Sequence, residues 1–193
     1  MHRLTCAFIL GYHGCDQRVG ERLLGGASFK PSDNEYDWLG PGIYFWEANP
    51  LRGLEFARES SQRRGSRISR PYVIGAVIEV GLCLDLTTSA GLDWLRIAYD
   101  SLAEVTRTAG GALPTNSGDG LRRNLDCAVI RHLHSILEAQ NLPALDTVKG
   151  VFTEGREAYP GSGFSEKTHI QIAVRNPECI KGVFRVPAAQ LRA

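Results

Sequence analysis

Three short runs gather residue types able to act on a ligand. Tyr12-His13-Gly14-Cys15 closes an apolar stretch that begins at Leu4. A histidine where a strand ends can reach a ligand, and a glycine beside it lets that ligand touch backbone N–H and C=O. Taken alone, the pair reads more simply as a histidine satisfied locally. Gly40-Pro41-Gly42-Ile43-Tyr44-Phe45-Trp46 sets three aromatics behind a tight turn. Strand alternation sends Tyr44 and Trp46 to one face and Phe45 to the other, so one side packs into the core and the other offers a stacking surface. Core packing alone accounts for the run equally well. Thr168–Val174 alternates as well, with His169 and Gln171 opposite Ile170 and Ile172. Polar residues on one face of such a strand more often meet water than substrate.

Together these runs form a pattern. The segment from Tyr12 to Ala57 resembles the front half of ADP-ribosyltransferases of the PARP and diphtheria-toxin type, the H-Y-E clade. Their marks are a His-Gly pair on the first strand, a G-x-G-I-Y-F segment some way on, a helix, and a catalytic glutamate opening a late strand. Here His13-Gly14 and Gly40-x-Gly42-Ile43-Tyr44-Phe45 match in residue and order. The resemblance holds over residues 10–57, extends more loosely over 148–186, and lapses over about 88–145, as a helical insertion would. It implies an α+β fold in one domain spanning residues 1–193, a split and strongly curved antiparallel sheet with the NAD cleft between its halves. The implied activity moves one ADP-ribose unit from NAD to a protein or nucleic-acid acceptor, releasing nicotinamide and using no metal. By the same resemblance, Gly14 holds the nicotinamide carboxamide through its backbone and His13 bonds a ribose hydroxyl. Tyr44 stacks on the nicotinamide ring, with Phe56 as the opposite wall. A ring clamped and oriented in this way leaves the glycosidic bond aligned for attack.

The departure lies at the third mark. Aligning the last strands puts Gln171 where the family's glutamate stands. A glutamine keeps a hydrogen bond but brings no charge to an oxocarbenium-like centre, a loss of roughly 3 kcal/mol or about a hundredfold in rate. Three readings stay open: transfer with His13 and Gln171 positioning alone, a carboxylate supplied by Glu154 or Glu166, and NAD bound without turnover. An NAD glycohydrolase using water as acceptor is a fourth. The resemblance also admits a toxin held in check by a neutralising partner, which no residue here specifies.

The elements that must position these residues are legible in outline. Strands are expected at 4–12, Ile43–Trp46, 72–80, Leu82–Leu86, Val148–Thr153, His169–Arg175 and Ile180–Val186. Helices are expected at Val19–Leu24, stopped by Gly25-Gly26; from a cap at Asn49 and Pro50 to about Arg64; from Thr88 or Ser89 to about Thr108; and from Asp126 to Gln140. Strands at both ends with helices between them read as α+β. The segments 110–124 and 155–166 are long and glycine-rich, the places where acceptor choice would reside.

Composition bounds the rest. The chain has 193 residues, 22 Lys+Arg against 21 Asp+Glu, and a formal net charge of +1, which excludes coating nucleic acid or membrane by bulk charge. Five scattered cysteines form no C-x-x-C pair, and no apolar run approaches a membrane span, so a cytoplasmic protein with reduced thiols is expected. Arg58, Arg63, Arg64, Arg67 and Arg70 put five arginines into thirteen residues. They read first as a solvated helix end that suits the macrodipole, and second as a phosphate contact. Arg122 and Arg123 stand in the long loop. His132 and His134, two residues apart on one helix, point to different sides, which argues against a shared metal. No G-x-G-x-x-G, P-loop or nucleophile-elbow motif is present, which argues against a Rossmann dehydrogenase, a P-loop NTPase and an α/β-hydrolase.

Overall fold

A computed structural model describes residues 2–3 and 8–192. Among the described residues four α-helices flank one mixed, mostly antiparallel sheet of eight strands, so the α+β expectation holds. The strands are β1 (His2–Arg3), β2 (Phe8–Asp16), β3 (Ile43–Glu47), β4 (Pro71–Glu79), β5 (Leu82–Asp85), β6 (Thr147–Phe152), β7 (His169–Val174) and β8 (Ile180–Arg185). The helices are α1 (Gln17–Leu24), α2 (Pro50–Ser61), α3 (Ser89–Thr108) and α4 (Asn124–Ala139). Residues 4–7 of the expected first strand, and Cys6 with them, lie outside the described residues.

Local chemistry sets the helix ends. Asn49 accepts from the Arg52 N–H at 3.0 Å with Pro50 at the first helical position, and Thr88 accepts from the Gly91 N–H at 3.1 Å. Gly26, at φ +91°, turns the chain out of α1. The expected α2 overran. The helix stops at Ser61, so of the five arginines only Arg58 sits in its last turn. The macrodipole argument therefore does not reach Arg63, Arg64, Arg67 or Arg70.

The sheet runs β1-β5-β6-β7-β3-β2-β4-β8, antiparallel throughout except for the parallel pair β5–β6 that α3 and α4 connect. Its weak seam lies in the middle. β2 pairs with β4 along its whole length, from Phe8–Glu79 to Asp16–Pro71, and β3 pairs with β7 from Ile43–Val174 to Trp46–Gln171. Between themselves, β2 and β3 pair only at Gly11–Glu47 and Tyr12–Trp46. Beyond Tyr12 the two strands part.

Two faces of the sheet carry separate cores. One buries Ile43, Phe45, Ile78, Ile172 and Val174. The other buries Leu84, Ile130, Leu133, Leu137 and Val148 beneath α3 and α4, and Tyr12, Leu54 and Val73 beneath α2. Cys15, Cys83, Cys127 and Cys179 are buried free thiols, and no described helix is long and apolar enough to cross a membrane. Past their strands, β6 and β7 continue as a narrow tongue. Lys167 N–H donates to the Glu154 carbonyl at 3.0 Å, Glu166 N–H to Arg156 at 2.9 Å and Ala158 N–H to Phe164 at 2.9 Å.

Asp16 fastens the junction of β2, α1 and the arginine segment. Its buried carboxylate accepts from the backbone N–H groups of Arg70 at 3.0 Å, Ser69 at 2.8 Å and Arg18 at 3.0 Å, and from the Ser69 hydroxyl at 3.0 Å. These donors hold its carboxyl well below the usual carboxylate range. The sign follows from a depressed folded pKa: the stabilisation is complete above the unfolded value, near 4, and disappears as pH falls through it toward the folded value. Asp16→Ala should therefore lower the melting temperature most at neutral pH, with the gap to wild type narrowing below about pH 4. A gap that stays constant from pH 7 to pH 3 would rule out the carboxylate as its source.

Candidate functional site

The parting of β2 and β3 happens at His13 and Gly14. In an antiparallel ladder, alternate residues present N–H and C=O to the same side. The Leu10 carbonyl accepts from the Ala48 N–H at 2.9 Å on the β3 side, so Tyr12 and Gly14 present their backbone groups to that side too. At Gly14 the ladder with β3 has ended, so these groups have no β3 partner across the seam. Across it, the Tyr44 carbonyl is bonded by the His13 ring, whose Nδ1–H donates at 2.9 Å. That bond fixes the proton on Nδ1 when the ring is neutral, leaving Nε2 as an acceptor. Burial lowers the His13 pKa, outweighing the carbonyl that favours the charged form, so the ring is neutral at pH 7.

Gly14 also answers a packing demand. A Cβ there would stand 2.1 Å from the Gly53 carbonyl oxygen of α2, so only glycine lets helix and strand approach this closely.

The other expected site residues are arranged differently from the expectation. His13 lies on one sheet face, its ring edge-on to Phe29 and tilted against Phe45 at centroid distances of 5.5 and 5.6 Å. Tyr44 and Gln171 project from the opposite face, so His13 meets Tyr44 only through the backbone. Nor is Tyr44 a free stacking platform. Its hydroxyl accepts from the Leu39 N–H at 3.0 Å and donates to the Gly40 carbonyl at 2.8 Å, clasping the Gly-Pro-Gly turn that precedes it. Burial pushes this phenol up, beyond any physiological titration. Phe56 faces Trp46 instead, with ring centroids 4.8 Å apart, so the Tyr44–Phe56 clamp is not formed. Trp46 occupies the space between Phe56 and His169, whose ring lies 6.3 Å away.

Gln171 stands beside Trp46 in the ladder, and its Oε1 accepts from Trp38 Nε1–H at 2.7 Å. Glu154 is bonded to Arg52 at 2.8 Å and lies opposite Lys167 in the tongue, four residues before Gln171 and so roughly 13 Å along the strand. Glu166 pairs with Arg156 at 3.1 Å on the surface. Both glutamates are thus engaged by arginine partners.

Sequence reasoning passed over what covers this face. The polar side of β7 does not meet water: His169 is only 5% exposed, stacked on Phe152 and donating through Nδ1 to the Lys167 carbonyl at 2.6 Å. Burial lowers its pKa despite that carbonyl, so it too is neutral. Arg52, 5% exposed, gathers Glu154 at 2.8 Å and Glu59 at 3.5 Å, while Lys167 bonds Glu59 at 2.8 Å. Burial alone would raise the Glu59 carboxyl, but Lys167 and Arg52 outweigh it and hold it low. Arg123 lies 4.4 Å above the Phe152 ring and 5.0 Å above Trp38. Trp46 Nε1, Arg52 Nε and His169 Nε2 are buried without hydrogen-bond partners, two donors and one acceptor on an aromatic wall. The spacing of Arg52, Phe56 and Glu59 along one helix face was the available signal for the α2 part of this cluster.

A cavity of about 550 Å³ opens beyond Trp38, between α3, α4 and β6, lined by Leu86, Leu95, Tyr99, Arg123 and Val129. It includes none of His13, Gly14, Tyr44, Phe56 or Gln171. His132 bonds Ser101 at 2.9 Å, while burial pushes His134 down to about 3, so the two act separately.

Comparison with known proteins adds little chemistry. The chain is 24% identical over 188 residues to an uncharacterized protein of Methanocaldococcus jannaschii, covering 88% of this chain and 83% of that one. No protein-family model matches, and no solved structure matches.

The clasp of Tyr44 on its own turn is directly testable. Tyr44→Phe removes one hydroxyl and strands two buried backbone groups, and should cost about 1–3 kcal/mol in urea unfolding. A neutral result would mean the hydroxyl holds nothing.

Proposed function

We propose that this chain binds NAD at the opening between β2 and β3 and transfers one ADP-ribose unit to a macromolecular acceptor, releasing nicotinamide. The observation that carries the reading is the parting of the strands at the His13-Gly14 and Gly42-Ile43-Tyr44 segments. These are the segments that resemble the ADP-ribosyltransferases, and the end of β2–β3 pairing there supports the reading. The fit rests on Gly14, whose N–H and C=O are the donor and acceptor pair a carboxamide needs, held rigid by β4 on one side and α2 on the other. NAD brings a labile nicotinamide–ribose bond whose electron pair leaves with nicotinamide. His13, neutral and anchored through Nδ1, offers Nε2 to a ribose hydroxyl. Trp46 and Phe56 replace Tyr44 and Phe56 as the aromatic pair beside the opening.

Gln171 limits the rate. Its Oε1 is committed to Trp38, leaving the amide N–H groups, which can donate but carry no negative charge. With Glu154 neutralised by Arg52, binding without turnover is a second reading favoured by a definite observation.

The test is nicotinamide release from NAD, with and without cell lysate. Acceptor-dependent release that falls in His13→Ala supports transfer; release without lysate assigns a glycohydrolase; NAD binding without release assigns a binding module. No NAD binding by calorimetry would end the proposal. Gln171→Glu keeps the acceptor for Trp38 and adds the missing charge. It should raise release roughly a hundredfold, about 3 kcal/mol, if Gln171 stands at the reacting centre.

A further inference from the structure

We infer that the arginine-rich segment after α2, with the start of α1 and the tongue beside it, is a binding surface for single-stranded nucleic acid. Arg58, Arg63, Arg64, Arg67 and Arg70 are all exposed, as are Arg18 and Arg22 on α1. Among the described residues none of the seven is paired with a carboxylate. The one carboxylate at their junction, Asp16, is spent on backbone: it takes the N–H groups of Arg70, Ser69 and Arg18 and leaves the guanidiniums of both arginines free. Glu59 is likewise committed to Lys167 and Arg52. The same clamp on Asp16 joins α1 to residues 69–70, so the two arginine sets form one surface.

The composition selects the partner. The basic side chains of α1 and of residues 58–70 are all arginine, and a guanidinium both forks onto phosphate oxygens and stacks on rings. A single pyrophosphate neutralises no more than a pair of guanidiniums, so the surplus fits a polyanion and not a dinucleotide. Residues 62–70 form neither helix nor strand, which suits a flexible backbone better than the groove of a rigid duplex. One aromatic face lies among these arginines, and the tongue carries two more. Arg63 sits 6.0 Å over Phe56, and the tongue, tied to α2 by Lys167–Glu59 at 2.8 Å and Arg52–Glu154 at 2.8 Å, exposes Tyr159 by 59% and Phe164 by 68%. Basic tracks flanked by stacking rings are the means by which unpaired bases are held. The net charge of +1 conceals this patch because acidic residues dominate elsewhere.

The experiment is fluorescence anisotropy with a labelled oligouridine and an oligothymidine of roughly 16 nucleotides, without NAD, across a salt series. It does not depend on the proposed transfer, so either can fail alone. Binding should weaken steeply with salt. The triple variant Arg63→Ala, Arg64→Ala, Arg67→Ala should flatten the slope of log K against log salt by about 2. Phe164→Ala should weaken binding about tenfold with the slope unchanged. All four residues are exposed, and circular dichroism with melting verifies that each variant is folded. Absence of salt-dependent binding, equal affinity for a duplex, equal affinity for polyglutamate, or full displacement by NAD would each overturn the inference.

Discussion

The hydrogen bond from the His13 ring to the Tyr44 carbonyl is where the two halves of the sheet are held apart and held together. When β2 and β3 diverge after Tyr12, the carbonyl of Tyr44 loses its ladder partner, and a buried carbonyl without a partner is costly. An imidazole reaches across and supplies the donor. β4 pairs with β2 along its whole length, β7 pairs with β3, and α2 lies over β2 on one face through the close Gly14–Gly53 contact. Everything argued for the site depends on this substitution of a side chain for a strand bond.

Much of the architecture was legible because it rests on local chemistry. Asn49-Pro50 and Thr88 announce helix starts, Gly25-Gly26 announces a stop, and the alternation in Ile43–Trp46 and in His169–Val174 assigns faces within each strand correctly. Relations between strands were not legible. That His13 and Tyr44 occupy opposite faces follows from a register between β2 and β3 that only two residue pairs fix. The Tyr44 hydroxyl found its partners five residues and fewer away, in a turn whose conformation no periodicity reveals. The burial of His169 required Arg52, Phe152 and the tongue to converge from distant parts of the chain. The parallel β5–β6 pair escaped for the same reason.

Charge shows the same division between local and assembled properties. Arg52 and the arginines beyond Ser61 are near neighbours in sequence with opposite fates. Arg52 faces the sheet, gathers the carboxylates of Glu154, Glu59 and Glu55 and becomes part of the wall around Trp46. A buried guanidinium left unpaired would be severely destabilising, so those carboxylates are structural requirements before they are anything else. The later arginines carry no such obligation and keep their charge exposed to solvent.

The tongue separates two kinds of selection. Its base is bound into the ladder and to α2, so changes there disturb the sheet. Its tip, Tyr159–Gly163, supports nothing beneath it, and lengthening such a loop costs only about 0.6 kcal/mol per doubling. A lineage can therefore rewrite, extend or trade the tip as a cassette while the body of the protein stays unchanged. Recognition at the tip can change while the scaffold beneath it is kept.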